Sequence, residues 1–561
     1  GMILSRVSLF IFLISNTLWG QTTEKTYWIF FKDKPDYLHA TVIPDISPRA
    51  LERRLKQNPH TSALIDESDY PVSSDYLAAL SSHLVLIHNT SRWLNAACVQ
   101  INERNIPLIQ SLPFIREIRP VRARSVIAST SSHASSFSSI AASFSRFSYG
   151  ASLRQNAFVN AVAAHDSGYS GKGVRIGMID TGFNLTHTAF SGIHVVADSD
   201  FVDHDGNVSE IGSKFTSSHG TFVLSAIASF HESFLIGTAF GADYILARTE
   251  NNSDAIYELA DESRWIAALE WMEQIGADIV SSSTSFFDEF PGTSNDYTIR
   301  DLDGKTGLTT LATDIAFKKG LLVFNSSGNN GAEDQDQYRV STPSDGKHMI
   351  AVGATIGDST VASFSSRGPT ADGRKKPDVA ALGYEIRVVS SGTTGYQNFS
   401  GTSLSTPIVA GIAALALEAN PAWSGSELYD AVRKTASLSK KPNHTIGYGV
   451  PDAMKIIRYN PASSDDFNPI RDVVNYPNPA NPSTTIRFRS VISGRYSVHI
   501  YNTLGALVRT IRDNASITAG ETVAALWDLK NDHGRRVSSG VYIYRIAMDD
   551  KSETRKILII K

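Results

Sequence analysis

Between about Tyr149 and Tyr459 the chain repeats one pattern, a short and continuously apolar run followed by a helical stretch. Val174-Arg-Ile-Gly-Met-Ile179, Tyr244-Ile-Leu-Ala247 and Leu321-Leu-Val-Phe324 are the clearest runs, and Arg264 to Ile275 and Thr309 to Lys319 the clearest helices. A strand that is apolar all round must be covered on both faces, and helices between such strands supply the crossovers a parallel sheet needs. The pattern predicts an α/β domain, a parallel sheet with helices on both faces. Sheets of that kind carry their sites outside the carboxyl ends of the strands. That is where chemistry is to be sought.

With 561 residues the chain exceeds one ordinary core and corresponds to about three or four domains. Met2 to Arg6 carries one positive charge, Val7 to Ile14 is apolar, and Asn16 to Gly20 is small and polar. This is the order of a secretory signal peptide, expected over residues 1–21, with Gly1 an addition ahead of Met2. Its apolar run is too short to span a bilayer comfortably, and no other stretch is long and apolar enough. Residues 25–122 mix strand-like runs (Tyr27 to Phe31, Leu84 to His88, Ala96 to Ile101) with helical ones (Pro48 to Gln57, Ser73 to Leu80, Ile106 to Leu112), which predicts a small α+β domain. Residues 123–148, rich in serine and without periodicity, read as a linker. The α/β pattern is assigned to residues 149–460, and a proline-bearing linker to 461–472. Residues 473–561 alternate as strands with turn signals such as Asn531-Asp-His-Gly534, the texture of a small β-sandwich. A net charge of -4 gives no electrostatic footing for nucleic acid, and one cysteine, Cys98, excludes a disulfide within the chain. Stability must come from burial, which a chain of this length can supply.

Three motifs within 149–460 carry chemistry. Asp180 ends an apolar strand in Ile179-Asp-Thr-Gly182; His219 stands in Ser218-His-Gly-Thr221, just ahead of a helical run from Phe222 to Ser229. Ser403 lies in Gly401-Thr-Ser-Leu-Ser-Thr-Pro407, ahead of an apolar helix from Ile408 to Leu417. Each has a plain structural alternative: a turn acid, a satisfied histidine, a helix N-cap. At a helix start, however, a serine hydroxyl is exposed and the backbone N–H groups favour a neighbouring oxyanion. Gly220 is read as clearance for a substrate backbone.

The order Asp180, His219, Ser403 in these contexts resembles the subtilisin-like serine peptidases, and the order itself is a known convergent solution. Ser326-Ser-Gly-Asn-Asn-Gly331, Ser363-Phe-Ser-Ser-Arg-Gly-Pro369 and Lys376-Pro-Asp378 extend the resemblance. It implies that Ser403 is the nucleophile, His219 its base, Asp180 the group orienting the imidazole, and Asn329 a side-chain donor to the oxyanion. It also implies that the strand at Ser283, Thr284 and Ser285, with Gly328 and Thr402, lines the substrate cleft. Here the chain departs from the family's pattern, with Ser281-Ser-Ser-Thr-Ser285 where many relatives carry Ser-Leu-Gly-Gly, so Thr284 and Ser285 bear on the primary pocket and side-chain preference is left open. Phe222 replaces a second histidine, and Leu404-Ser405 replaces Met-Ala; neither removes a reacting atom.

Tyr27-Trp-Ile-Phe-Phe-Lys-Asp-Lys34, Leu51-Glu-Arg-Arg54 and Ser91-Arg-Trp-Leu-Asn95 resemble inhibitory propeptides of secreted Bacteroidetes subtilases. Asn475-Tyr-Pro-Asn-Pro-Ala-Asn-Pro-Ser483 through Lys556-Ile-Leu-Ile-Ile-Lys561 resembles the C-terminal sorting domain of the type IX secretion route. The resemblance thus implies a secreted or surface-attached serine endopeptidase acting on proteins or peptides, restrained by its own propeptide and met by secretion machinery. A catalytically silent surface or binding protein of the same fold is the alternative; an esterase lacks its Gly-x-Ser-x-Gly elbow here. No cofactor is expected. Calcium is left open, since Asp203-His-Asp-Gly-Asn207 and Asp301-Leu-Asp-Gly304 offer oxygens but complete no calcium loop, and acidic turns are the favoured reading, with no metal site assigned.

Overall fold

The computed structural model describes residues 24–35, 37, 43–59, 63–83, 85–121, 145–209, 216–250, 261–286, 297–331, 340–390, 392–461, 469–548 and 551–560. The expected signal peptide, residues 123–144 of the serine-rich stretch and residues 462–468 of the second linker lie outside them. Two compact units emerge, Gly1–Ile457 and Arg458–Lys561.

The first unit begins with a four-stranded antiparallel sheet of β1 (Glu24–Phe31), β2 (Leu86–Ser91), β3 (Ala96–Asn102) and β4 (Ile115–Pro120), ordered β2-β3-β1-β4. Helices α1 (Pro48–Gln57), α2 (Ser74–Ser81) and α3 (Ile106–Gln110) accompany it. β1 shows why its sequence is apolar throughout. Tyr27, Ile29 and Phe31 point into the segment's own core with Leu80, Val99 and Ile109. Trp28 and Phe30, on the opposite face, join a second cluster containing Trp265, Leu269, Met272 and Phe286 from the body of the unit. Beside this apolar contact lies a buried charge cluster. Arg54 donates to both Glu273 oxygens (2.9 and 2.8 Å) and to both Asp69 oxygens (2.7 and 2.8 Å), Arg53 donates to Glu273, and Lys319 reaches Asp69 at 2.9 Å.

The body is the predicted α/β structure. Its seven-stranded sheet comprises β5 (Arg175–Asp180), β6 (His194–Asp200), β7 (Asp243–Arg248), β8 (Ile279–Ser282), β9 (Leu322–Ser326), β10 (Ile350–Thr355) and β11 (Val379–Leu382). The order is β11-β10-β9-β8-β5-β7-β6, and every pairing is parallel. Its helices include α4 (Thr216–Ala228), α5 (Asp261–Ile275), α6 (Leu308–Lys318), α7 (Thr402–Ala419) and α8 (Gly425–Lys434). Among the described residues only α7 is long and apolar enough to cross a membrane, and it is the buried central helix of this unit.

The second unit holds a three-stranded sheet, ordered β12 (Ile470–Tyr476), β13 (Thr484–Ser490), β16 (Thr522–Trp527), and a four-stranded one, β15 (Leu507–Ile517), β14 (Gly494–Tyr501), β17 (Gly540–Met548), β18 (Lys551–Ile559). All pairings are antiparallel. Ile486, Phe488 and Trp527 from one sheet meet Val498, Ile500 and Tyr544 from the other in a common core. This is the expected sandwich.

Candidate active site

Three neighbouring strands, β5, β8 and β9, deliver Asp180, Ser283 and Asn329 to the carboxyl end of the sheet. Asp180 is the last residue of β5 and is fully buried. Its Oδ1 accepts the N–H of Thr181 at 2.8 Å and faces His219 Nδ1 at 2.7 Å. A carboxylate accepts but does not donate, so the bond requires a proton on Nδ1 and leaves Nε2 as the ring's basic nitrogen. Nε2 is buried and has no hydrogen-bond partner among the described residues.

His219 stands inside α4, which starts at Thr216, rather than ahead of a helix beginning at Phe222. The reading of Gly220 also changes. A Cβ there would lie 2.2 Å from the Gly182 carbonyl oxygen and 3.0 Å from Asp180 Cβ. The glycine therefore clears room for the Asp180 turn and not for a substrate. Its N–H donates to Thr181 Oγ1 at 3.3 Å. Phe222 is buried and leans on Phe399, with ring centroids 5.3 Å apart.

Ser403 is the second residue of α7, behind Gly401 as the cap, so the helix begins well before Ile408. The reason the sequence obscured this is Pro407. Proline has no N–H, so the Ser403 carbonyl loses its partner four residues on. Ser283 supplies the replacement: its hydroxyl donates to the Ser403 carbonyl at 2.9 Å, while Ser403 Oγ lies 3.5 Å from the Ser283 carbonyl oxygen. Ser405 and Thr406 turn their hydroxyls back onto the Thr402 carbonyl (2.9 and 2.8 Å). α7 packs directly on α4, the helix of His219.

Asn329 follows β9. Its Oδ1 accepts both the N–H and the Oγ1–H of Thr402, at 2.9 and 3.0 Å, which turns the donating Nδ2 end of the amide away from Thr402. Gly328 holds φ +105°, and a Cβ there would sit 2.8 Å from both Ser341 Oγ and Ser366 Oγ. Ser366 also accepts the Asn330 N–H at 3.1 Å and donates its own N–H to the Gly328 carbonyl. Sequence reading singled out the segment 363–369 without giving Ser366 a task; it fastens the loop that carries Asn329.

Beyond Ser283, the Thr284 hydroxyl turns inward, 3.1 Å from Ser282 Oγ, and the Thr284 carbonyl accepts Asn325 Nδ2–H at 3.0 Å. Thr284 and Ser285 are both buried. The acidic turns are occupied by local partners. Asp203 pairs with Arg248 at 2.7 Å, Asp205 accepts the Asn207 N–H, Asp301 caps Thr298, and Asp303 accepts the N–H groups of Lys305 and Thr306. Among the described residues no three His, Cys, Asp or Glu side chains converge as a metal site.

Three family models match the chain: the subtilase family over residues 171–449, the peptidase S8 propeptide domain of Bacteroidota over 26–136, and the secretion system C-terminal sorting domain over 474–561. Subtilisin E of Bacillus subtilis (strain 168) is 31% identical over 241 residues, covering 42% of this chain and 54% of that protein. Subtilisin of Bacillus pumilus is 31% identical over 242 residues, 42% of this chain and 75% of that protein. The serine protease AprX of Bacillus subtilis (strain 168) is 36% identical over 158 residues, 25% of this chain and 35% of that protein. The chain thus spans about half the length of subtilisin E.

Proposed function

Because the chain belongs to the subtilase family, we propose that it is a serine endopeptidase working through Asp180, His219 and Ser403. The observation that carries the reading is the Asp180–His219 hydrogen bond, which leaves Nε2 as the basic nitrogen, on a helix that packs against the helix Ser403 begins. Ser403 Oγ attacks the scissile carbonyl carbon as its proton passes to His219 Nε2. The C–N bond then breaks, and His219 returns that proton to the leaving amine. Water repeats the sequence on the acyl-enzyme, giving the free carboxylate and restoring Ser403. Asp180 stabilises the imidazolium through Nδ1–H. Asn329 Nδ2 and the Ser403 N–H receive the oxyanion, the side-chain donor contributing roughly 10²–10³ in rate. The Ser283–Ser285 strand, with Gly328 and Thr402, forms the bed for the peptide. The steps call on groups of this chain and on water, and on no organic cofactor.

The chain carries a secretion-system sorting domain and is a secreted or surface-attached protein. The propeptide domain is read as the peptidase's own inhibitor, and the sorting domain as the part met by the secretion machinery. A fluorophosphonate probe tests the activity: covalent labelling at Ser403, lost in His219→Ala, together with cleavage of a peptide library, is the expected result. A purified protein that neither labels nor cleaves is a silent binding protein instead.

A further inference from the structure

The peptide bed is tied down on the side that faces away from Ser403. Trp265, in α5, is fully buried, and its Nε1–H donates to Ser282 Oγ at 2.9 Å. Ser282 Oγ in turn lies 3.1 Å from Thr284 Oγ1. An indole N–H only donates, so Ser282 accepts from Trp265, and either hydroxyl of the Ser282–Thr284 pair can donate to the other. Side chains alternate along an extended segment. Ser282 and Thr284 therefore share the face toward α5, while Ser283 between them projects toward the Ser403 carbonyl. The edge is thus pinned from both faces, and Asn325 pins its backbone at the Thr284 carbonyl. Phe286, the next buried ring along, meets Trp265 nearly edge-on, with centroids 6.3 Å apart.

We propose that Trp265, acting through Ser282, is a positioning residue for the peptide-binding edge at 283–285, setting how well an extended peptide binds and not how fast the bond is broken. The inference rests on the peptidase reading for what the edge binds. Trp265 touches no reacting atom; its task is to stop the edge sliding or twisting when a peptide pairs with it. Trp265 also belongs to the apolar cluster that holds Trp28, Phe30 and Trp93. One side chain therefore serves both the cover over α5 and the bed beneath the substrate.

The test compares wild type, Trp265→Phe, Ser282→Ala and the double variant, each as full-length protein brought to constant peptide-hydrolysing activity. Loss of one buried hydrogen bond predicts a KM for an extended peptide about fivefold or more higher, with kcat within about twofold. The double variant should be no worse than the poorer single one, because both act through one chain of bonds. Labelling by a small fluorophosphonate, which needs Ser403 and His219 but no strand pairing, should proceed at the wild-type rate. Unchanged KM in variants with normal melting, or labelling that falls in step with peptide hydrolysis, overturns the proposal. Ser282→Ala removes a single oxygen and decides the matter alone if Trp265→Phe does not fold. A wild-type protein that never labels sinks the peptidase reading separately. The relay is then judged by fluorescence anisotropy of the same peptide, where equal affinity in wild type and Ser282→Ala rejects it.

Discussion

At Gly220 one hydrogen atom decides whether α4 can rest against the Asp180 turn. Gly220→Ala puts a methyl 2.2 Å from the Gly182 carbonyl oxygen and against Asp180, so helix and turn must separate. The Asp180–His219 bond is the contact most exposed to that shift. We predict a loss in kcat of about 10⁴, the cost of an unoriented triad histidine, with the melting temperature lowered far less than activity. Near-normal kcat would show that the turn accommodates the methyl. Asn329→Ala is predicted to lower kcat by roughly 10²–10³ at little change in KM, as for one lost oxyanion donor; normal turnover would remove Asn329 from the reaction. These residues differ in legibility. Asp180, His219, Ser403 and Asn329 stand in short motifs with glycine neighbours and are visible in sequence. Ser366 and Asn325 are not, because a hydroxyl or amide that braces a distant loop leaves no local pattern. At Thr284 the sequence does not say which way the side chain points; strand alternation sends its hydroxyl inward, to Ser282.

Elements were legible wherever a single period governed them, as in β5, β7, α5 and α6. α7 was read too short, since Pro407 looks like a helix boundary until its orphaned carbonyl acceptor is seen to be served by Ser283. What the sequence hid was how α1 meets α5. Arg53 and Arg54 appeared only as part of a resemblance, while their partners Glu273 and Lys319 lie more than 200 residues away. Burial alone would raise the Asp69 and Glu273 carboxyls. The Arg54 bonds with Lys319 outweigh it at Asp69, and Arg53 and Arg54 do so at Glu273, holding both below the usual carboxylate range. A depressed carboxyl stabilises contact above its ordinary value of about 4, and that contribution is lost as pH falls through the lowered one. Acidification below about pH 4 should therefore loosen α1 from α5, read as faster hydrogen exchange in residues 48–57 and 261–275 of uncut Ser403→Ala protein. Glu273→Gln leaves buried arginines short of charge and should weaken the contact by about 3–5 kcal/mol at neutral pH. Equal exchange in the two proteins at pH 7 would mean that apolar packing alone holds the segment.

At the scale of the molecule, the two units have separate cores, and that of Arg458–Lys561 draws on its own two sheets. We predict that removing residues 473–561 leaves peptide hydrolysis by purified protein intact while retaining the protein in the producing cell's envelope. Lost activity in the purified truncation would instead make the sandwich part of the peptidase. The division into α/β and all-β parts was visible in texture, because hydrophobic period differs between them. The docking of the first sheet was not, because a strand buried on one face in its own core and on the other in a neighbour reads simply as apolar.

If the N-terminal segment is the peptidase's own inhibitor, as proposed above, the double burial of β1 makes activation a one-way event. Once severed and released, the segment presents Trp28, Phe30 and Trp93 to water, and about 100 residues with half a cover are a marginal fold. Residues 24–121 alone should show no cooperative melt, and should be digested by the very peptidase they leave. Each segment destroyed is unavailable to rebind, so a population would start slowly and then accelerate, with no reservoir of brake left to reset it. A sharp, reversible melt of the isolated segment would contradict this and would make the restraint reusable.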